Sequence, residues 1–359
     1  MKIALHIIAV AALALGCGDA TSTADASLPA DAGADAGALS DAGAPDAGPA
    51  ECRTVAVTSN PGADWACPDS NSCKADYLAF PAKAAAYEAP TTDAALNQAL
   101  TDIEAGKVAV LEEAMAPAAL RDAILDRLNM RFLAEGIDGR PLAVTVTGES
   151  ETADYRETDL LFVDEYVGTF KGILLTPKAG GPFPGIVAVH GHGGDAADYR
   201  DHYHGAEFPS HGYAILMLTM RAMNIDADEH EVTWVLLLKG FNLISLRVYE
   251  SLLGLRYLAC RPDVLPGKIG LIGHSGGSST GNLTVRIEPR FKAFVSDNQV
   301  DWYKSSDTEP YHCETAPALY PYHDLINDFT TSQAPVLQVP YGYITGMSDI
   351  WKFYRENLK

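Results

Sequence analysis

The sequence predicts an α/β protein, with a mostly parallel central sheet, helices on both faces and an N-terminal helical lead-in. Three observations predict it. Pro184-Gly-Ile-Val-Ala-Val-His190, Gly212-Tyr-Ala-Ile-Leu-Met-Leu218 and Lys268-Ile-Gly-Leu-Ile-Gly273 are short apolar runs, the pattern of strands covered on both faces. Helical stretches separate these runs, and strands that alternate with helices pair in parallel through right-handed crossovers. Gly-rich segments follow two of them, at His190-Gly-His-Gly-Gly194 and Gly273-His-Ser-Gly-Gly277. In such a sheet, function belongs at the carboxyl ends of the strands.

The chain opens with Met1-Lys2 and an apolar run from Ile3 to Leu15, too short to span a bilayer comfortably, which reads as a secretory signal rather than as fold. The run closes on Leu13-Ala-Leu-Gly-Cys17, which resembles the lipobox of bacterial lipoproteins and implies lipidation at Cys17. Ala14 departs from the leucine usual at that place, so ordinary signal cleavage stands as the alternative for residues 1–17. Residues 18–50 are almost entirely Ala, Asp, Gly, Pro, Ser and Thr, with Asp-Ala-Gly recurring from Asp31 to Gly48. Such a segment cannot bury enough apolar surface to offset the entropy of ordering it, so a flexible acidic tether is expected. Its six aspartates contribute to a formal net charge of -21, which argues against nucleic acid as a partner.

Setting Cys17 aside, Cys52, Cys67, Cys73, Cys260 and Cys313 form an odd set in a chain expected to be exported. Cys67 and Cys73 flank a turn and suit a local disulfide, with Cys52 as a competitor, and one thiol is left over. The absence of any Cys-x-x-Cys pair argues against a zinc site, and no metal or organic cofactor is expected.

Residues 51–140 hold the first cysteines and then a helical lead-in. Val108, Leu111, Met115, Leu120, Ile124, Leu125 and Leu128 recur at helical spacing, with a break near Ala116-Pro117. The main domain spans 141–359. Ala143–Thr147, Asp159–Glu165 and Gly168–Thr176 alternate polar with β-branched or aromatic residues, as antiparallel strands with one solvated face do. Thr233 to Cys260 reads as one long helix feeding the strand that begins near Lys268, and Phe291–Ser296 reads as the next strand.

Gly273-His-Ser-Gly-Gly277 places a serine where a buried strand must reverse into a helix. The tight turn strains the serine backbone and exposes its hydroxyl, and glycines two residues either side avoid collision. Together with Pro184–Gly194, His211–Leu216 and Leu258-Ala-Cys-Arg-Pro-Asp-Val264, this stretch resembles the α/β-hydrolase superfamily, more closely its dienelactone-hydrolase-like and acetyl-xylan-esterase-like branches. The likeness runs from about Gly168 to Ser296. It implies that Ser275 is a nucleophile and that the N–H groups of Gly276 and of the loop near His192 form an oxyanion hole, with His190, His192 and His274 shaping the structure rather than acting as bases.

A serine hydroxyl needs a base, and the base needs a carboxylate to orient it. The superfamily order, serine then acid then histidine, points to Asp349 in Gly346-Met-Ser-Asp349, with Asp297 and Asp301 as alternatives. No histidine follows Asp349; the last is His323. Three expectations follow. The sequence stops before a final strand and its histidine loop, or Tyr343 after the Pro335–Tyr343 strand occupies the histidine's place in a degenerate hydrolase, or His312 or His323 serves as base.

The reading is an exported serine hydrolase cleaving carboxylic esters through an acyl-serine intermediate, on a small-molecule or acylated polysaccharide ester, membrane-bound only through a lipid at Cys17. A prolyl-oligopeptidase-type peptidase is the enzymatic alternative, although residues before 140 lack the strand repeats of a propeller. A non-catalytic surface protein that kept the scaffold is the other.

Overall fold

The computed structural model describes residues 92–164, 166–223, 226–298, 316–340 and 346–359. The expected signal and Cys17, the tether, Cys52, Cys67, Cys73 and Cys313, together with Asp301, His312 and Tyr343, lie outside the described residues.

Eight strands form a single sheet: β1 (Ala143–Glu151), β2 (Tyr155–Asp164), β3 (Gly168–Pro177), β4 (Phe183–Val189), β5 (Ala214–Leu218), β6 (Val264–His274), β7 (Phe291–Asp297) and β8 (Val336–Val339). Their order is β1-β2-β3-β5-β4-β6-β7-β8. The first three strands pair antiparallel and β3 joins β5 antiparallel, whereas β5, β4, β6, β7 and β8 run parallel to one another. The texture of the sequence accounts for this split. The alternating segments became the meander, and the unbroken apolar runs became the parallel strands covered by helices.

Side-chain alternation divides the core into two layers. Val187, Val189, Leu216, Leu218, Leu271 and Phe294 face one layer, with the buried helices α6 (Leu243–Ala259) and α7 (Gly276–Ile287) against it. Ile186, Ala188, Ile215, Met217, Ile272 and Val295 face the other, packed with α4 (Ala196–His202) and α9 (Met347–Leu358). Neighbours in one strand thus enter opposite layers, which is why these strands show no polar alternation.

The lead-in forms α1 (Asp93–Glu104), α2 (Pro117–Arg127) and the short α3 (Arg131–Ala134). Thr92 caps α1 through its hydroxyl, and Pro117 opens α2 where no amide hydrogen is needed. Leu96 and Leu100 pack on Leu237, while Arg121 Nε donates to the Ile287 carbonyl at 2.8 Å. The lead-in is therefore bolted to the end of α7, the helix that begins at the serine.

One expectation is corrected. Thr233–Cys260 is not one helix but two, α5 (Asp226–Leu238) and α6, whose axes meet at 101°. Gly240 ends α5 with φ of 78°, its N–H donating to Leu237 while the Phe241 N–H reaches back to Leu236. This is the Schellman arrangement, which a residue without Cβ permits. A continuous apolar pattern hid the stop, because α6 is buried from Leu243 to Leu258 and shows no polar face. Among the described residues, no single helix is long and apolar enough to cross a membrane.

Candidate active site

Ser275 stands between β6 and α7 with φ of 52° and ψ of -120°. For a residue with a Cβ this backbone is strained by about 1–3 kcal/mol, and surrounding contacts must hold it. Its N–H donates to the Asp297 carbonyl at 2.9 Å, across the β6–β7 pairing, and its carbonyl accepts from Ser278 and Ser279. Three glycines enclose the turn. A Cβ on Gly273 would lie 2.2 Å from the Gly277 oxygen, and one on Gly277 would lie 2.3 and 2.4 Å from the Val189 and His190 oxygens. A Cβ on Gly191 would lie 3.0 Å from Ser275 Cβ. The end of β4 and its Gly-rich loop are thus pressed against the serine turn.

The arrangement suits an anion. The first N–H groups of α7 have no partner within the helix, and the helix dipole places partial positive charge there. The loop from His190 to Gly194 lies beside the same serine, with its Gly193 and Gly194 N–H groups bonded to the Met223 and Gly191 carbonyls. The fold therefore brings together Ser275, Gly276 and the loop that carries His192.

His190 is fully buried. Its Nε2 accepts from the Met220 N–H at 2.9 Å, so Nδ1 carries the proton and donates to the Gly191 carbonyl at 2.7 Å. Burial lowers its pKa to about 4, with the Gly191 bond opposing the shift, so the ring is neutral near pH 7. It ties the loop to the end of β5. His192 is partly exposed, with Nε2 3.4 Å from Glu229 Oε1 on α5.

His274 and Asp297 are register partners on β6 and β7, and their side chains meet with Nδ1 and Oδ2 2.8 Å apart. The His274 ring also lies 4.7 Å from the ring of Tyr203, which follows α4. Asp297 thus holds the serine turn twice, by its carbonyl through Ser275 and by its carboxylate through His274. Sequence reasoning did not foresee this pair. Aligning β6 with β7 in parallel register would have placed His274 opposite Asp297.

Asp349 occupies the first turn of α9 and is exposed, with its N–H donating to the Gly346 carbonyl at 3.1 Å. His323 opens α8 (His323–Asn327), with Nδ1 against Asp324 and Nε2 2.9 Å from the Asn327 amide. Among the described residues, no side chain hydrogen-bonds the Ser275 hydroxyl. No group of three or more His, Cys, Asp or Glu side chains among them is arranged to hold a metal ion.

A mostly parallel sheet with a strained serine turn between strand and helix, beside a Gly-rich loop from the neighbouring strand, is the α/β-hydrolase fold. No protein-family model matches the chain. By sequence it is 27% identical over 230 residues to the Bacillus subtilis protein YtaP, assigned as a hydrolase, an alignment covering 60% of this chain and 76% of that one. It is 30% identical over 131 residues to the peroxisomal succinyl-coenzyme A thioesterase of Mus musculus, covering 36% of this chain and 27% of that protein. By structure it is similar to a Bacteroides fragilis protein assigned as an acetyl xylan esterase, with a TM-score of 0.53, 14% identity, and coverage of 72% of this chain and 80% of that one. The acetyl xylan esterase from Paenibacillus sp. R4 gives a TM-score of 0.50 at 14% identity, covering 72% and 99% of the two chains. At this identity, the solved structures establish the fold.

Proposed function

We propose that this protein is a carboxylic ester hydrolase that works through an acyl-serine intermediate on Ser275. The observation that carries the reading is the strained Ser275 backbone, held against both the α7 N-terminus and the His190–Gly194 loop. Ser275 Oγ attacks the ester carbonyl, and the developing oxyanion is received by the Gly276 N–H and an N–H near His192. Each such donor is worth about 3 kcal/mol in the transition state. The serine proton passes to a histidine and from it to the departing alkoxide; water then releases the acid by the reverse route.

For the base we take His323, whose hydrogen bonds to Asp324 and Asn327 must be exchanged for that role. Among the carboxylates Asp349, Asp301 and Asp297, the last is supported by its double contact with the serine turn. The substrate is a small-molecule or acylated polysaccharide ester, in keeping with the acetyl xylan esterases that share the fold. Export is supported by the disulfide at Cys260, since such bonds persist in oxidising compartments, and a lipid at Cys17 rests on the lipobox-like Leu13–Cys17 stretch alone.

A fluorophosphonate probe tests the reading. Labelling of the protein that is lost in Ser275→Ala is the expected result, and well-folded protein that takes no label overturns it. The second reading, a scaffold without catalysis, is favoured by the serine hydroxyl's having no hydrogen-bond partner among the described residues, and the same unlabelled result supports it.

A further inference from the structure

The loop beside Ser275 is anchored at several points to one segment, residues 220–223. The Met220 N–H donates to His190 Nε2, and the Gly193 N–H donates to the Met223 carbonyl at 2.8 Å. Between those anchors stands Arg221, 5% exposed, with Nε donating to Glu250 Oε1 at 2.6 Å and Nη2 to the Val167 carbonyl at 2.7 Å. The Arg221 carbonyl accepts from Arg247 Nε at 3.2 Å, and Arg247 Nη2 pairs with Glu229 Oε1. The same Glu229 oxygen faces His192 Nε2. Arg247 and Glu250 are fully buried and Glu229 is 1% exposed, so two guanidinium and two carboxyl groups lie buried beside the loop.

Stability does not account for this chain of charges. Buried ion pairs lose about as much in desolvation as they recover, and well-packed apolar groups often serve as well or better. Burial indeed pushes the Glu250 carboxyl upward, with Arg221 opposing the shift. What the charges do supply is direction. They link α5, α6 and the 220–223 segment to the loop at His192, whose Nε2 faces Glu229.

We propose that Glu229, fixed by Arg247, is a positioning residue that acts through His192 to set the loop N–H that receives the oxyanion. The inference rests on the ester hydrolase reading. Glu229→Gln keeps the shape of the side chain and removes its charge, and His192→Gln removes the ring at a partly exposed place where folding is under less threat. With p-nitrophenyl acetate, each folded variant is expected to lose about tenfold or more in kcat with KM within about twofold, because oxyanion contacts act mainly in the transition state. The double variant should fall no further than the worse single, since both act on one device. Hydrogen exchange supplies a readout independent of turnover: the peptide spanning 190–194 should exchange faster in Glu229→Gln while β4 stays protected.

A folded variant with wild-type kcat, a loss confined to KM, losses that multiply in the double variant, or unchanged exchange of the 190–194 peptide overturns the proposal. If Glu229→Gln does not fold, His192→Gln is judged by the same kinetic and exchange criteria. Failure of the underlying reading is separate, because Ser275 of the wild type would then take no fluorophosphonate, and the exchange experiment still decides whether the device exists.

Discussion

Ser275 and its glycines show how much a single position can demand. The hydroxyl is presented only because the backbone adopts a φ of 52°, and that turn closes only if positions 273 and 277 carry no Cβ. Gly277→Ala would drive a methyl into two backbone oxygens that cannot move aside, so we expect a loss of about 2–4 kcal/mol by urea denaturation and loss of fluorophosphonate labelling in whatever remains folded. Ser275→Ala keeps the Cβ and with it the backbone strain, so it should be about as stable as the wild type while taking no label. Reading these two variants together separates the serine's chemistry from its geometry. The glycine spacing was plain in the sequence. The His274–Asp297 pair was not, because contacts between side chains 23 residues apart follow from strand register rather than from any local pattern.

At the scale of elements, the segment from Pro317 to Thr331 is tied to α7 by the Arg286 guanidinium and by the Asn282 amide, which donates to Asn327 Oδ1 at 3.1 Å. Arg286 Nη1 donates to Thr331 Oγ1 at 2.8 Å, and Nη2 donates to the Ile326 and Asp328 carbonyls at 2.9 and 2.7 Å. Burial lowers its pKa to about 10, with Asp328 opposing the shift, so it stays charged in the physiological range. Arg286→Leu would remove three bonds, and although the Asp328 carbonyl keeps the Thr331 N–H and hydroxyl, the Ile326 carbonyl would lose its guanidinium donor. A destabilisation of about 2–3 kcal/mol is expected by denaturant titration, with earlier proteolytic cleavage between residues 316 and 331. Retention of wild-type stability and of the wild-type cleavage pattern would show that the segment is held by its apolar contacts instead. Elements were the most legible level of the sequence. The strands at 184–189, 214–218 and 291–296 fell where their apolar runs lie. The bend at Gly240 escaped notice because a buried helix offers no amphipathic rhythm by which to see it stop.

For the whole molecule, His190 couples folding to pH. Its pKa is about 4 in the fold against an ordinary 6.5, so the unfolded chain binds a proton that the native state refuses. The stability this represents is fully present above pH 6.5, is lost as pH falls toward 4, and amounts to roughly 3 kcal/mol by pH 4. His190→Gln should be less stable at pH 7 yet show a flatter fall in denaturation midpoint between pH 7 and 4.5. A fall as steep as the wild type's would assign the acid sensitivity to other groups.

The sequence by itself determined the class of fold and the place of the serine. Periodicity and glycine spacing are local, and each element can satisfy them without knowing its neighbours. Only the tertiary structure decided which groups surround that serine. It brought the His190–Gly194 loop to Ser275 at Gly191, set Asp297 opposite His274, and buried Glu229 between Arg247 and His192. These contacts depend on strand order, on the 101° turn between α5 and α6 and on the desolvation of charge, quantities that exist only once distant segments have packed.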